Sequence, residues 1–251
     1  MTHDVLEHPP LELQDCEARY ASQQVFSGVS LTLQRGEIFG LIGLNGVGKT
    51  TLIKSLLDLG PLRSGQIRIF GQPHWAANSR AQLAYLPDRF QPSGALRGVE
   101  FLKLALGHFG LPLDRDGASA CCQSLGLDPQ VLQQSIRTYS KGMGQKLALA
   151  ATFLTQRPLV ILDEPMSGLD PLARVQLKRV LLTHRSQGHT IFFSSHVLSD
   201  IEEICDRVGV FHGGDMRFIG TPAELVHRHG SATLEHAFLA SIGIQPQEYL
   251  S

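Results

Sequence analysis

The chain reads as an α/β protein, with a mainly parallel sheet, an N-terminal antiparallel β subdomain and a helical insert. Three observations predict this. Continuous apolar runs recur at 38–42, 159–162, 190–193 and 208–211. Runs of that length suit strands buried on both faces. Helical patterns lie between them, for example at 173–183 and 199–205, and strands alternating with helices indicate a parallel sheet. The opening of the chain differs. Leu11, Leu13, Val29, Leu31 and Leu33 alternate with polar residues, the period of half-buried, antiparallel strands.

Taken in order, Ile67 and Ile69 repeat the alternation after the turn-like Ser64-Gly65. Residues from about 92 to 140 are rich in Leu, Ala and Gly, with breaks at Pro112 and Asp128-Pro129. They read as several short helices inserted into the α/β core. A helix over 199–205 would take Ser199 or Asp200 as its cap. His212-Gly213-Gly214-Asp215 signals a hairpin, and a helix begins near Thr221-Pro222. His227-Arg228-His229 reads as its solvated end. The whole, residues 1–251, is expected to form one domain, with the hairpin and terminal helix at about 208–251.

Composition narrows the function. The chain is 43% hydrophobic and 18% charged, so a substantial core forms without staples. Lys+Arg total 22 against 23 Asp+Glu, for a net charge of −1. That lacks the basic footprint of a nucleic-acid binder, and no nucleic-acid partner is expected. Cys16, Cys121, Cys122 and Cys205 form no C-x-x-C pair and have no His at zinc-finger spacing, so they read as free thiols in a reducing compartment. The opening MTHDVLEHPP has no basic or apolar signal region. No run approaches the ~18 apolar residues a bilayer span requires.

Gly43-Leu44-Asn45-Gly46-Val47-Gly48-Lys49-Thr50 matches G-x-x-x-x-G-K-[ST]. A buried strand precedes it and an apolar helix, 52–59, follows. Glycines let successive N–H groups turn toward one centre and form an anion nest, to which a helix N-terminus adds its positive end. The lysine reaches terminal phosphates and the threonine hydroxyl suits Mg²⁺. Asp163-Glu164 ends another buried strand, where α/β sheets present ligands. Asp163 is placed to hold Mg²⁺ and Glu164 to polarise an attacking water, a step typically contributing ~10²–10⁴-fold.

With both motifs placed, the chain resembles the ATP-binding-cassette ATPases over nearly its whole length, exporter-like members in particular. Tyr139-Ser140-Lys141-Gly142-Met143 stands where that family has Leu-Ser-Gly-Gly-Gln, before a helix at 145–154. Ser140 and Gly142 match; Tyr139, Lys141 and Met143 resemble an exporter variant. Ser167-Gly168-Leu169-Asp170 resembles the loop that crosses the dimer interface, His196 the switch histidine, and Tyr20 the aromatic that stacks on adenine. The family's glutamine between core and insert is here Asp88. A carboxylate binds Mg²⁺ but cannot donate as an amide does.

The resemblance implies a P-loop NTPase core that hydrolyses ATP with Mg²⁺. ATP would be held by Tyr20, Gly43, Leu44, Asn45, Gly46, Val47, Gly48, Lys49, Thr50, Thr51, Asp88 and Asp163. Thr50, Asp163 and Asp88 would hold the metal. Lys49, Glu164 and His196 would be catalytic, and Ser140, Gly142 and Asp170 would reach ATP on the opposite subunit. It implies a dimer with a second ABC subunit, expected to be a homodimer, in which Glu164 and His196 would make both sites active, and a separate integral membrane permease. The expected place is the cytoplasmic face of the membrane, as a peripheral transport ATPase working in export. A second class is a soluble cassette ATPase acting on a ribosome or DNA, which carries paired cassettes, coiled coils or zinc-binding cysteines. A third is a cassette that binds without turnover, against which Glu164 argues.

Overall fold

A computed structural model describes residues 8–20 and 23–244. In chain order these form β1 (Glu12–Tyr20), β2 (Gln23–Thr32), β3 (Ile38–Ile42), α1 (Lys49–Leu56), β4 (Ser64–Ile69), β5 (Gln72–Pro73), α2 (Ala77–Arg80) and β6 (Leu83–Leu86). The helices α3 (Gly98–His108) and α4 (Arg115–Ser124) follow, with two 3-10 turns at Pro129–Gln133 and Ile136–Thr138. Then come α5 (Lys141–Leu154), β7 (Leu159–Asp163), α6 (Pro171–Ser186), β8 (Thr190–Ser195), α7 (Leu198–Ile204), β9 (Arg207–His212), β10 (Asp215–Gly220), α8 (Pro222–Arg228) and α9 (Leu234–Ser241).

The larger sheet runs β10-β9-β3-β8-β7-β6, parallel except for β10. The smaller runs β2-β1-β4-β5 and is antiparallel. Every residue of β3, β7 and β8 is buried, because alternate side chains enter two different cores. Phe39, Leu41, Ile161 and Phe192 meet α1 and the smaller sheet. Ile38, Ile42, Val160, Leu162, Ile191 and Phe193 meet the side chains of α5, α6 and α7. Gly40 lets α7 approach the sheet closely: a Cβ there would lie 2.6 Å from Ile201 Cδ1.

The structure corrects several expected boundaries. The helix after the glycine loop begins at Lys49 rather than 52, and α5 begins at Lys141 rather than 145. Neither Ser199 nor Asp200 caps α7; its cap position is Val197 and carries no side-chain bond. Strand β6 has no counterpart in the sequence reading. It is the edge of the larger sheet, paired in register with β7 from Leu83↔Leu159 to Leu86↔Leu162. The β9–β10 turn places Gly213 and Gly214 at φ +61° and +77°, as a two-residue hairpin turn demands. Thr221 closes a capping box with Glu224 at the head of α8. All four cysteines are free.

Candidate active site

Parallel topology places the C-terminal ends of β3, β7 and β8 side by side, and the chemical residues lie at or just beyond those ends. The glycine loop leaves β3 and delivers Lys49 and Thr50 as the first residues of α1. Gly46 and Gly48 sit at φ +81° and +107°, in the left-handed region that turns backbone N–H groups inward. At Gly43 the limit is space, since a Cβ would lie 2.5 Å from the Phe211 carbonyl oxygen.

Lys49 is buried. Its Nζ donates to the carbonyls of Gly43 at 2.7 Å and Leu44 at 3.3 Å and lies 3.4 Å from Glu164 Oε1. The other oxygen of Glu164 lies 2.8 Å from His196 Nδ1. The carboxylate is therefore bracketed by two nitrogens. Its backbone has φ +51°, left-handed for a non-glycine residue. That turn carries Glu164 out of the line of β7.

Ser194 organises the two acidic residues and was not singled out in the sequence. Its Oγ donates to Asp163 Oδ1 at 2.6 Å and accepts from the Glu164 N–H at 2.9 Å. The parallel register sets Asp163 opposite Ser194. The only signal in the sequence was a pair of serines ending an apolar run. Asp163 is 1% exposed. Burial raises its pKa, the Ser194 hydrogen bond and the neighbouring Thr50 hydroxyl oppose the rise, and the charges of Asp88 and Glu164 add to it. Its Oδ2 is buried without a hydrogen-bond partner.

Leu44, Asn45, Gly46, Gly48, Lys49, Thr50, Thr51, Asp88, Glu164 and His196 line one cleft of about 410 Å³, which also takes in Arg89 and Ser167. Gly43 and Asp163 lie buried beneath it, and Val47 is half-buried, its Cγ2 3.0 Å from where a Cβ on Gly43 would stand. Asp88 follows β6, paired with Arg89 at 3.5 Å. Among the described residues no three His, Cys, Asp or Glu converge as a metal cage.

The remaining expected residues do not line this cleft. Tyr20 ends β1, opposite Gln23 and 52% exposed. A few residues on, Val25 Cγ1 lies 3.0 Å from where a Cβ on Gly48 would stand, so that end of the hairpin abuts the glycine loop. Ser140 is exposed and caps α5, accepting from the Met143 N–H at 3.2 Å. Gly142 lies in the first turn of α5, and Asp170, also exposed, caps α6 by accepting from the Ala173 N–H at 2.9 Å. Tyr139 is tied down instead: its hydroxyl donates to the Val131 carbonyl at 2.5 Å, and burial first, then Cys122, pushes its pKa to about 12.

Residues 26–167 match the family model described as ABC transporter. The chain belongs to that family. It is an ATP-binding, ATP-hydrolysing subunit of a membrane transporter. An uncharacterised ABC transporter ATP-binding protein of Nostoc sp. is 36% identical over 92% of this chain and 73% of its own length. The bacitracin transport ATP-binding protein BcrA of Enterococcus faecalis is 34% identical over 82% of this chain and 67% of its own length. A solved structure of the ATP binding subunit of an ABC transporter superposes with a TM-score of 0.83 at 32% identity, over 92% of this chain and 98% of that one. Among the described residues, no helix of this ABC subunit is long and apolar enough to cross a membrane.

Proposed function

We propose that this ABC subunit closes head-to-tail on a second copy of itself around two ATP molecules and drives a separate permease, in export. The observation that carries the catalytic part is Glu164 held between Lys49 and His196 at the mouth of the glycine-loop cleft. In this reading the glycine loop and the start of α1 cradle the phosphates. Lys49, which rests on its own loop carbonyls, exchanges them for phosphate oxygens. Glu164 accepts a proton from the attacking water and His196 holds its carboxylate in place. Tyr20 stacks on adenine. Ser140, Gly142 and Asp170, exposed or half-buried and outside their own cleft, serve the ATP of the partner.

The donor set fits Mg²⁺. Asp163 Oδ2 is buried without a partner beside Thr50, within the field of Asp88 and Glu164, and buried carboxylates in such a group call for a cation. Mg²⁺ takes one or two carboxylates plus substrate phosphates rather than a protein cage, which agrees with the absence of a cage among the described residues. Thr50 and Asp163 would hold it, with Asp88 beside them, and the ion would neutralise charge on the β- and γ-phosphates.

A second cleft, of about 660 Å³, lies between β6, α3 and α5. Leu57, Leu59, Phe90, Phe101, Leu104 and Phe109 line it, and Leu59 and Leu104 are each 65% exposed. An apolar seam beside the Asp88 loop supports docking of a permease segment there, at the cytoplasmic face. The exporter-like Tyr139–Met143 signature supports export. Glu164→Gln tests the catalytic reading: it should keep ATP and dimerise but release phosphate at least ~10²-fold more slowly. Undiminished release would remove Glu164 as the base. Co-purification from solubilised membranes tests the permease; recovery of the subunit without an integral membrane protein would overturn that part.

A further inference from the structure

The first turn of the helix that follows His196 is held by charge, not by a side-chain cap. Asp200 lies in the first turn of α7 and is 3% exposed. One of its carboxylate oxygens is 2.9 Å from Lys178 Nζ and the other 3.6 Å from Arg174 Nη1. Arg174 and Lys178 are one turn apart on α6, so they face α7 together. Lys178, 8% exposed, also pairs with Glu203 one turn further along α7. Between His196 and α7 the backbone is pinned by one local bond, from the Val197 N–H to Ser195 Oγ at 3.0 Å. Helix α6, in turn, starts directly after Ser167-Gly168-Leu169-Asp170, with Asp170 as its cap.

We propose that Asp200 is a positioning residue for His196, and that the Asp200–Lys178–Arg174 clamp fixes the His196–Glu164 contact to the loop at 167–170. This rests on the proposed role of His196. Ile201 and Ile204 anchor α7 to the larger core on their own account. The clamp instead fixes the angular setting of the first turn, and the His196 ring leaves the chain four residues before Asp200. A movement of the 167–170 loop is transmitted along α6 through two ion pairs to the ring that orients Glu164.

The test is a double-mutant cycle on single-turnover phosphate release by the full-length protein, normalised to ATP-binding stoichiometry. Asp200→Asn should lower the rate about tenfold with KM for ATP within about twofold of wild type. In a His196→Ala background the same substitution should cost less than about twofold, because the group it positions is gone. Lys178→Arg, which keeps the cation, should retain at least about half the rate. Equal losses in the two backgrounds would overturn the clamp as a positioning device. A full rate in His196→Ala alone would overturn the role of His196 on which it rests. Where Asp200→Asn does not fold, since removing one partner of a buried pair is strongly destabilising, Arg174→Gln carries the same cycle. It should lose about threefold in the wild-type background only.

Discussion

Acidification should weaken this fold through one identifiable ring. His184 lies in the last turn of α6 and is 8% exposed. It stacks on Phe153 at 4.6 Å between centroids, meets His189 edge-on at 5.2 Å, and its Nδ1 is buried without a partner. Burial, with a smaller contribution from His189, lowers its pKa from 6.5 to about 4. The C-terminal end of a helix favours a cation, so desolvation outweighs the dipole here. The unfolded chain binds this proton below about 6.5 and the native state only below about 4. The stabilisation is therefore complete above about 6.5 and is lost as the pH falls toward 4. Two and a half pKa units amount to about 3 kcal/mol in total, of which about 2 kcal/mol is gone at pH 5.0. Against a typical stability of 5–15 kcal/mol, roughly, that is large enough to read. His184→Phe keeps an aromatic ring on Phe153 and removes the titration. In urea unfolding at pH 7.5 and 5.0, wild type should lose about 2 kcal/mol more than the variant between the two pH values. Parallel losses would refute the assignment of the acid sensitivity to His184.

Lys49→Ala should weaken nucleotide binding at least ~10-fold, as the loss of a charged phosphate contact implies; unchanged titration with an ATP analogue would contradict the cradle. Gly43→Ala drives a methyl against the backbone of β9, so both thermal stability, by about 1–3 kcal/mol, and ATP affinity should fall, which calorimetry checks. Tyr139→Phe removes one of two donors to the Val131 carbonyl, the Gln134 N–H at 2.8 Å remaining, and should cost about 0.5–1 kcal/mol in denaturant unfolding. Asp88→Gln should alter the ATPase rate or its stimulation by the permease; if neither changes, Asp88 has no special role.

What could be read from the sequence was what is contiguous in it. The glycine loop and the Asp163-Glu164 pair carry their chemistry in adjacent residues, and strands buried on both faces announce themselves as unbroken apolar runs. Strand β6 escaped because it is four residues long, stands at an edge and mixes Ala84 and Tyr85 into its pattern. Ser194 escaped because its role exists only through register with the neighbouring strand. Asp200 looked like a cap because an acid near a helix start usually is one; its actual partners lie more than twenty residues upstream. The apolar period starts later than the helix at α1 and α5, because Lys49-Thr50-Thr51 opens the first and Lys141-Gly142-Met143-Gly144 the second.

The left-handed backbone of Glu164 has a bearing on how this protein can be improved. Such a conformation costs a non-glycine residue about 1–2 kcal/mol. Glycine or asparagine at 164 would relieve that cost, and neither carries a carboxylate. A library sorted for thermal tolerance alone should therefore enrich inactive chains at this position. Heat resistance and turnover pull on the same torsion angle, and a screen that rewards the first without reading the second will select away the proposed chemistry.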